Sequence, residues 1–113
     1  MKKDNPVLAS LIEKLKKSDK PIWLKVAAEL EKSRRRKVEV NLSKIDRLVK
    51  DNSVILVPGK VLGSGNLTKK VTIAAFNFSS SAKKLLDQNG SKTSTIDAIM
   101  AQNPSGKEII ILK

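Results

Sequence analysis

Four consecutive cations, Arg34-Arg35-Arg36-Lys37, are the residues of this chain whose types and spacing point most directly to a chemistry. Like charges side by side repel one another and stabilise no fold, so such a run is best explained by a phosphate-rich partner that neutralises it. Arginine suits this role because its planar guanidinium can contact a phosphate through two hydrogen bonds at once. The structural alternative is a solvated basic loop, and the charge of the whole chain makes that alternative weaker.

The excess of positive charge extends along the chain but is concentrated in its first half. The formal net charge is +12, with 23 basic residues, 11 acidic residues and no histidine. The first fifty residues contain 15 basic and 7 acidic side chains, and the remaining 63 contain 8 and 4. A polyanion-binding surface biased toward the N-terminal half is therefore predicted, with an affinity that falls steeply as salt is added.

Residue types argue against most catalytic chemistries. Without histidine or cysteine there is no zinc site of the usual kind, no Ser-His pair and no thiol nucleophile. The acidic residues are scattered and form no close pair for acid-base work. The stretch Gly63-Ser64-Gly65-Asn66 lacks the third glycine of a dinucleotide fingerprint and the lysine of a phosphate-binding loop. We therefore predict a protein that is not an enzyme and has no cofactor, metal or small-molecule substrate.

Length and composition predict one globular domain with an aliphatic core. The 113 residues are 40% hydrophobic and 30% charged, and only three are aromatic: Trp23, Phe76 and Phe78. Lys2 and Lys3 precede Asp-Asn-Pro rather than the apolar segment of a signal peptide, and no apolar run approaches the roughly 18 residues of a membrane span. These features predict a cytoplasmic protein that does not associate with membranes.

Helical periodicity dominates the N-terminal part. Asn5 and Pro6 are suited to begin a helix with a leucine stripe, and Pro21 opens a second helix with its own apolar stripe, so the two are expected to pair as a helical hairpin. We predict a basic helical part over residues 1–37 and a mixed α/β core over residues 38–113. The core begins with a short strand and a helix that Asn41 is suited to cap, which leaves Lys44 and Arg47 off the apolar face of that helix.

The pattern beyond residue 50 predicts strands alternating with helices. Residues 54–57 are predicted to form a strand buried on both faces and bounded by Pro58-Gly59, and residues 71–78 a second strand. Lys60, Lys69 and Lys70 are then expected around one loop. Serines 79–81 are suited to cap a helix that ends at Gly90, residues 94–97 resemble a capping box for a last helix, and residues 109–112 read as a final buried strand.

Phe76 and Phe78 offer a second way of binding nucleic acid. Two residues apart on a predicted strand, they are expected to share one face, where they could stack on bases. Such a pair more often packs against a helix, and the basic and glycine context of known aromatic readers is absent here. Packing in the core is therefore the favoured interpretation.

Several segments resemble the archaeal and eukaryotic large-subunit ribosomal protein eighteen-e family. They are Asn5-Pro6 with its leucine stripe, Arg34-Arg35-Arg36, residues 40–45 and above all Val57-Pro58-Gly59-Lys60-Val61-Leu62-Gly63-Ser64-Gly65. The resemblance covers nearly the whole chain. It implies the fold shared with bacterial ribosomal protein fifteen, a single-domain α/β fold described as an irregular β-β-α superhelix with an N-terminal helical hairpin and a basic loop. The absence of eukaryotic extensions favours an archaeal member.

The family resemblance implies a structural constituent of the large ribosomal subunit that contacts rRNA and neighbouring ribosomal proteins. The alternative is a free basic module that binds tRNA or DNA outside the ribosome, and an RNA-modifying enzyme is the least favoured reading. Ser33 stands where a proline is expected ahead of the arginines, which loosens that loop without changing its charge. The candidate RNA contacts are Lys2, Lys3, Arg34, Arg35, Arg36, Lys37, Lys44, Arg47, Gly59, Lys60, Gly63, Ser64, Gly65, Lys69 and Lys70.

Overall fold

The computed structural model describes residues 6–18, 20–32 and 38–113, and in this part of the chain helices cover both faces of a parallel sheet. The predicted α/β class is confirmed. No helix in these ranges is both long enough and apolar enough to cross a membrane. In chain order the elements are α1 (Pro6–Lys16), α2 (Pro21–Lys32), β1 (Glu39–Asn41), α3 (Leu42–Leu48), β2 (Val54–Leu62), β3 (Thr72–Phe78), α4 (Ser80–Asn89), β4 (Lys92–Thr95), α5 (Ile96–Gln102) and β5 (Ile109–Ile111).

Strand β2 is the centre of the sheet and has partners on both edges. One edge pairs with β3, which in turn pairs with β4. The other edge is shared by two short strands: β5 pairs with Val54–Leu56 at its start, and β1 pairs with Lys60–Leu62 at its end. All of these pairings are parallel.

The prediction that Pro58-Gly59 would end the strand begun at residue 54 is wrong, because β2 continues through both residues. The Leu56 carbonyl accepts from the Leu112 amide (3.0 Å) and the Lys60 amide donates to the Val38 carbonyl (2.9 Å) on the same edge. Since alternate residues of a strand direct their backbone groups to the same edge, Pro58 faces the gap between β5 and β1. The proline therefore lacks its N–H where no neighbouring strand needs one.

The side chains of the sheet divide into two cores. Ile55, Val57 and Ile73 pack with α3 and α4 in one cluster, while Leu56 and Ala74 pack with α1, α2 and α5 in the other. This division follows from the alternation of side chains along parallel strands that are buried on both faces.

The predicted pairing of the two N-terminal helices is confirmed. Leu15 of α1 and Trp23 of α2 are fully buried in the same cluster. The indole nitrogen of Trp23 donates to the Pro104 carbonyl (2.7 Å), so the helical pair is also tied to the segment that precedes β5. An ion pair between Lys16 and Glu31 (2.8 Å) joins the last turns of the two helices.

The caps of the last two helices were predicted to within one residue. Ser79 caps α4 by accepting from the Ala82 amide (3.1 Å), and Gly90 ends it in the left-handed conformation, as expected. The last helix starts one residue later than its capping-box pattern suggested, because Thr95 rather than Ser94 accepts from the Ala98 amide (3.0 Å). Both hydroxyls satisfy an amide that a helix start would otherwise leave unpaired.

The prediction of a buried final strand is wrong, since β5 lies at the edge of the sheet. Ile109 and Ile111 are half-buried and Ile110 is 39% exposed. A continuous aliphatic run is typical of a strand inside a parallel sheet, where neighbouring strands and helices cover it on all sides. Among the described strands β5 pairs with β2 alone, so its other edge has no neighbouring strand.

Phe76 and Phe78 do not share a face. Phe76 packs against the cluster of α1, α2 and α5, whereas Phe78 packs against that of α3 and α4. The register of β3 with β2 shifts at this point, where two residues of β2, Pro58 and Gly59, lie beside the single residue Phe76 of β3. Such an irregularity breaks the alternation of side chains, and the core interpretation of both rings is the one the packing supports.

Gly59 lies where a side chain would collide with backbone, which generates a stability prediction. A Cβ at this position would be 2.2 Å from the Val38 carbonyl oxygen, an atom that also accepts from Lys60. We expect Gly59→Ala to lower the free energy of unfolding by about 3 kcal/mol, because β1 must move away from β2.

Gly90→Ala is the matched control. There φ is +83° and a Cβ would meet its nearest atom at 3.5 Å, so only the left-handed backbone is penalised, at about 1 kcal/mol. Urea denaturation of both variants measures the difference. Equal losses would show that β1 adapts freely to a larger residue.

Candidate nucleic-acid interface

Six of the predicted contacts lie outside the described residues: Lys2, Lys3, Arg34, Arg35, Arg36 and Lys37. The cationic run occupies the connection between the end of α2 at Lys32 and the start of β1 at Glu39. By its place in the chain, the run therefore joins the helical pair to the sheet.

Helix α3 presents basic side chains away from the core. Leu42 and Ile45 are fully buried, whereas Arg47 is exposed and Lys44 is half-buried. The ammonium group of Lys44 donates to the main-chain oxygen of Lys113 (2.9 Å), so this lysine already has a structural partner. Arg47 has no ion pair within the described ranges, and it is the better placed of the two for a phosphate.

Asn41 stands at the N-cap position of α3, but its side chain does not cap the helix. Its Oδ1 atom is buried and accepts no hydrogen bond from the described residues. The amide of Ser43 donates instead to the carbonyl of Ser64 (3.2 Å). The glycine-containing loop thus satisfies the backbone at the start of α3 in place of the predicted side-chain cap.

The loop around Gly63, Ser64 and Gly65 lies between the first turns of α3 and α4. A Cβ on Gly63 would meet Ser81 and Ala82 at about 2.5 Å, and one on Gly65 would meet the Ser43 side chain at 2.4 Å. Ser64 and Gly65 are exposed and Gly63 is half-buried. Close internal packing accounts for both glycines, while the outer side of the loop stays accessible to a ligand.

The connection from β2 to β3 is unusual because parallel strands are normally joined through a helix. Residues 63–71 instead return along the sheet in irregular conformation, and Leu67 packs into the core of α3 and α4 on the way. Two side chains hold this crossover. Asp46 of α3 accepts from the amide (2.8 Å) and hydroxyl (2.9 Å) of Thr68, and Asn89 of α4 donates to the Leu67 carbonyl (2.8 Å).

Lys69 also helps to attach the crossover to α3. Its ammonium group donates to the main-chain oxygen of Asp46, and the side chain is half-buried. The two hydrogen bonds from Thr68 hold the pKa of Asp46 below its usual value in spite of burial, which acts in the opposite direction, and the nearby charge of Lys69 adds to the lowering. The position of Lys69 therefore favours a structural role over the predicted RNA contact.

The three lysines expected around one loop do not come together. Lys60 pairs with Asn77 near the carboxyl end of β2, whereas Lys70 precedes β3 at the amino end, where its carbonyl accepts from the Asn52 amide (2.7 Å). The crossover has to travel the whole length of β2 because β3 runs parallel to it. A strand rises about 3.3 Å per residue, so the two ends of β2 are too far apart for one phosphate to join them.

Tertiary structure adds basic residues that the sequence reasoning missed. Lys50 and Lys92 are exposed near Lys70, at the amino end of the strands, since Lys92 pairs with Thr72 and Lys50 precedes the turn to β2. Lys83 and Lys84 are exposed on α4. Their charge was visible in the sequence, but only the parallel pairing of β3 with β4 shows which of them lie together.

Ion pairing distinguishes the two faces of the molecule. On the side of α1, α2 and α5, Lys14 pairs with Asp97 and Lys16 with Glu31 (both 2.8 Å). No ion pair among the described residues involves the basic side chains of α3, the crossover or α4. The cations of α3, the crossover and α4 are therefore uncompensated among the described residues, and we call the face that these elements form the α3–α4 face. On the opposite side, Lys17, Lys20 and Lys25 also lack an ion pair within the described ranges.

Glu29 is the one buried charged residue of the described core, at 6% exposure. It accepts from the Lys113 ammonium group (2.6 Å) and lies 3.6 Å from that of Lys32. The hydrogen bond from Lys113 lowers the pKa of Glu29 in spite of burial, which acts in the opposite direction. Because Lys113 also accepts from Lys44, it links α2 on one face of the sheet to α3 on the other.

Comparison with known proteins extends over the whole chain. Residues 2–113 match the model of the family described as ribosomal protein 60S L18 and 50S L18e. Proteins named large ribosomal subunit protein eL18 are similar in several archaea. The identity is 47% in Methanococcus maripaludis over 112 residues (96% of this chain and 93% of the relative) and 44% in Haloarcula marismortui over 117 residues (all of both chains). In Sulfolobus acidocaldarius it is 47% over 111 residues (96% of this chain and 94% of the relative).

The attachment of the crossover to Asp46 should make stability depend on pH. Because the folded pKa is lowered, the ionised carboxylate stabilises the fold above the unfolded value of about 3.9, and this contribution disappears as the pH falls through the folded pKa. We expect Asp46→Asn to lower the melting temperature at pH 7, and the difference from the unmodified protein to vanish at strongly acid pH.

Thr68→Val is the matched variant, since it removes the hydroxyl donor and leaves the amide donor to Asp46 in place. It should reproduce part of the loss at pH 7. Thermal unfolding followed by circular dichroism measures both effects. The pH is varied from about 2, where carboxylates are mostly protonated, to about 7, where they are ionised. A loss for Asp46→Asn that is the same at every pH would contradict the assignment.

Proposed function

The chain belongs to the family of ribosomal proteins 60S L18 and 50S L18e, and from this premise we propose that it is a structural constituent of the large ribosomal subunit that binds rRNA phosphates. Two basic surfaces would carry the binding: the cationic run at 34–37 and the α3–α4 face. The family role is structural, so no reaction is proposed. Its place would be on the ribosome in the cytoplasm, beside rRNA and other large-subunit proteins.

The observation that carries this proposal is the unequal distribution of ion pairs. On the opposite face Lys14, Lys16 and Lys32 pair with acids, whereas none of the exposed cations of the α3–α4 face has an acidic partner within the described ranges. Uncompensated cations stay in water at little cost and gain by releasing the counterions condensed on a nucleic acid. Arg47, Lys50, Lys70, Lys83 and Lys84 are the described residues that this reasoning favours.

The remaining predicted RNA contacts divide into residues that are accessible to a phosphate and residues whose position is explained by contacts within the protein. The exposed backbone of Ser64 and Gly65 supports a role in approaching a phosphate, and Lys60 is half-buried close to the start of this loop. Gly59 is accounted for by its contact with Val38, and Lys69 by its contact with Asp46. We propose that these last two residues act on RNA binding through the shape of the protein rather than by contact.

A free tRNA- or DNA-binding module is the competing function, and the first test separates the two. Ribosomal subunits from cells that express this chain are washed at high salt and separated on a density gradient, and the protein is followed by mass spectrometry. We expect near-stoichiometric retention on the large subunit. Release into the light fractions would contradict a structural role and favour the free module.

The salt dependence of RNA binding tests the cationic run. We expect the Arg34→Ala, Arg35→Ala, Arg36→Ala variant to reduce the slope of log affinity against log salt by about 2 to 3, because each lost phosphate contact removes about 0.7 to 0.9. The RNA is large-subunit rRNA stripped of protein, and the measurement is filter binding between about 50 and 200 mM salt.

The matched control removes the same charge elsewhere: Lys17→Ala, Lys20→Ala, Lys25→Ala, three exposed lysines of which two lie at the connection between α1 and α2 and the third lies in α2. This variant should change the slope much less, because long-range attraction is screened within about 10 Å at 0.1 M salt. Equal slopes for the two variants would show that net charge, rather than the arginine run, determines the binding.

A further inference from the structure

Among the described residues, strand β5 has one edge without a partner strand, beside exposed aliphatic side chains. It pairs with β2 alone among the described strands, and Ile110 is 39% exposed. Leu48, the last residue of α3, is 57% exposed and is the most exposed large aliphatic residue in the described ranges. An apolar strand edge left open in this way is a template for pairing with another chain, so it needs a partner.

Leu48 and Ile110 lie on the same side of the sheet. Ile110 is in register with Ile55, whose side chain belongs to the core of α3 and α4, so the Ile110 side chain also points toward α3. Lys44 contacts the main chain of Lys113, and Leu48 is one turn after Lys44 on the same face of the helix. The two aliphatic residues therefore border one shallow groove between α3 and β5.

The backbone of β5 has hydrogen-bonding groups to offer. Because the Leu112 amide donates to the Leu56 carbonyl, Leu112 and Ile110 direct their backbone groups toward β2. Ile109 and Ile111 then direct theirs away from the sheet. A new strand at this edge could pair with both residues and continue the sheet by one strand.

The rim of the groove is basic. Arg47, Lys50 and Lys107 are exposed and have no ion pair within the described ranges. The acids in the same region are Asp51, which already accepts from the Lys70 amide (3.0 Å), and Glu108 next to β5. The charge that complements this rim is negative.

We propose that an extended, acidic segment of a neighbouring large-subunit protein adds to the outer edge of β5. Its backbone would pair with Ile109 and Ile111, one apolar side chain would sit between Leu48 and Ile110, and a carboxylate would meet Lys107. RNA also carries negative charge, but it offers neither the alternating amide and carbonyl groups of a strand nor an aliphatic side chain. The inference rests on the proposed place in the large subunit.

Photo-crosslinking on assembled subunits tests this docking surface. Protein with p-benzoylphenylalanine at position 110 is rebound to large subunits from which the native protein has been stripped, and is then irradiated. We expect a crosslink to one ribosomal protein, at an acidic peptide that mass spectrometry identifies. The same probe in place of Leu24, 43% exposed on α2, is the control and should not label that peptide. Labelling of rRNA, of a basic peptide or of nothing from position 110 would overturn the inference.

Two further variants, each carrying the probe at position 110, test the mode of binding. Ile111→Pro removes an amide that β2 does not use, so the fold should tolerate it while the added strand loses a hydrogen bond. Leu48→Asp places a carboxylate in the groove at an exposed position where folding is not at risk. Each should lower the crosslink yield about tenfold, equivalent to about 1.4 kcal/mol. Yields unchanged in Leu48→Asp would overturn the inference.

Rebinding of the unmodified protein is measured in the same experiment. If the unmodified protein does not return to the stripped subunits, the proposed function fails. If it returns and position 110 labels no protein, only the docking surface fails.

Discussion

Backbone pairing along both edges of β2 is the constraint on which the rest of the structure depends. One edge is filled by β3, while the other is divided between β5 and β1 with Pro58 at the point of division. A continuous strand on that second edge would meet a residue with no N–H to donate. The proline is therefore consistent with two short strands, which bring the N-terminal and C-terminal parts of the core to the same edge of one central strand.

Parallel pairing of β2 with β3 has a second consequence, since the chain must return along the sheet before β3 can start. A crossover of only nine residues leaves no room for a helix, so its backbone groups need partners from neighbouring elements. Asp46 and Asn89 supply them from α3 and α4. The same hydrogen bonds fix the position of Lys69 and Lys70, and the surface proposed for RNA is thus formed by the attachment of an irregular segment rather than by a helix alone.

Charge is separated between the two faces of the sheet. Acidic residues of α2 and α5 pair with lysines on one face, while the exposed cations of α3, the crossover and α4 keep no acidic partner among the described residues. Surface ion pairs stabilise a fold only weakly, so their main effect here is on the electrostatic potential. They neutralise part of the positive charge on the side of the helical pair and none on the α3–α4 face, where we propose that RNA binds.

Local patterns in the sequence determined much of this protein. Some features were predicted because each depends only on residues a few positions apart in the sequence. They are the serine cap of α4 and its terminal Gly90, the apolar stripes of α1 and α2, and the strands β2 and β3. The α/β class and the family followed from these patterns and from the quoted motifs. The basic character of the surface proposed for RNA followed from composition.

Tertiary structure decided what depends on distant residues. The continuation of β2 through Pro58, the edge position of β5 and the separation of Lys60 from Lys70 all follow from which strand lies beside which, and no local pattern contains that information. The same holds for Phe76 and Phe78, whose faces diverge at a register shift between two strands. Types and spacings of residues specify local conformation and charge, whereas partners across the sheet determine which side chains remain exposed to bind a ligand.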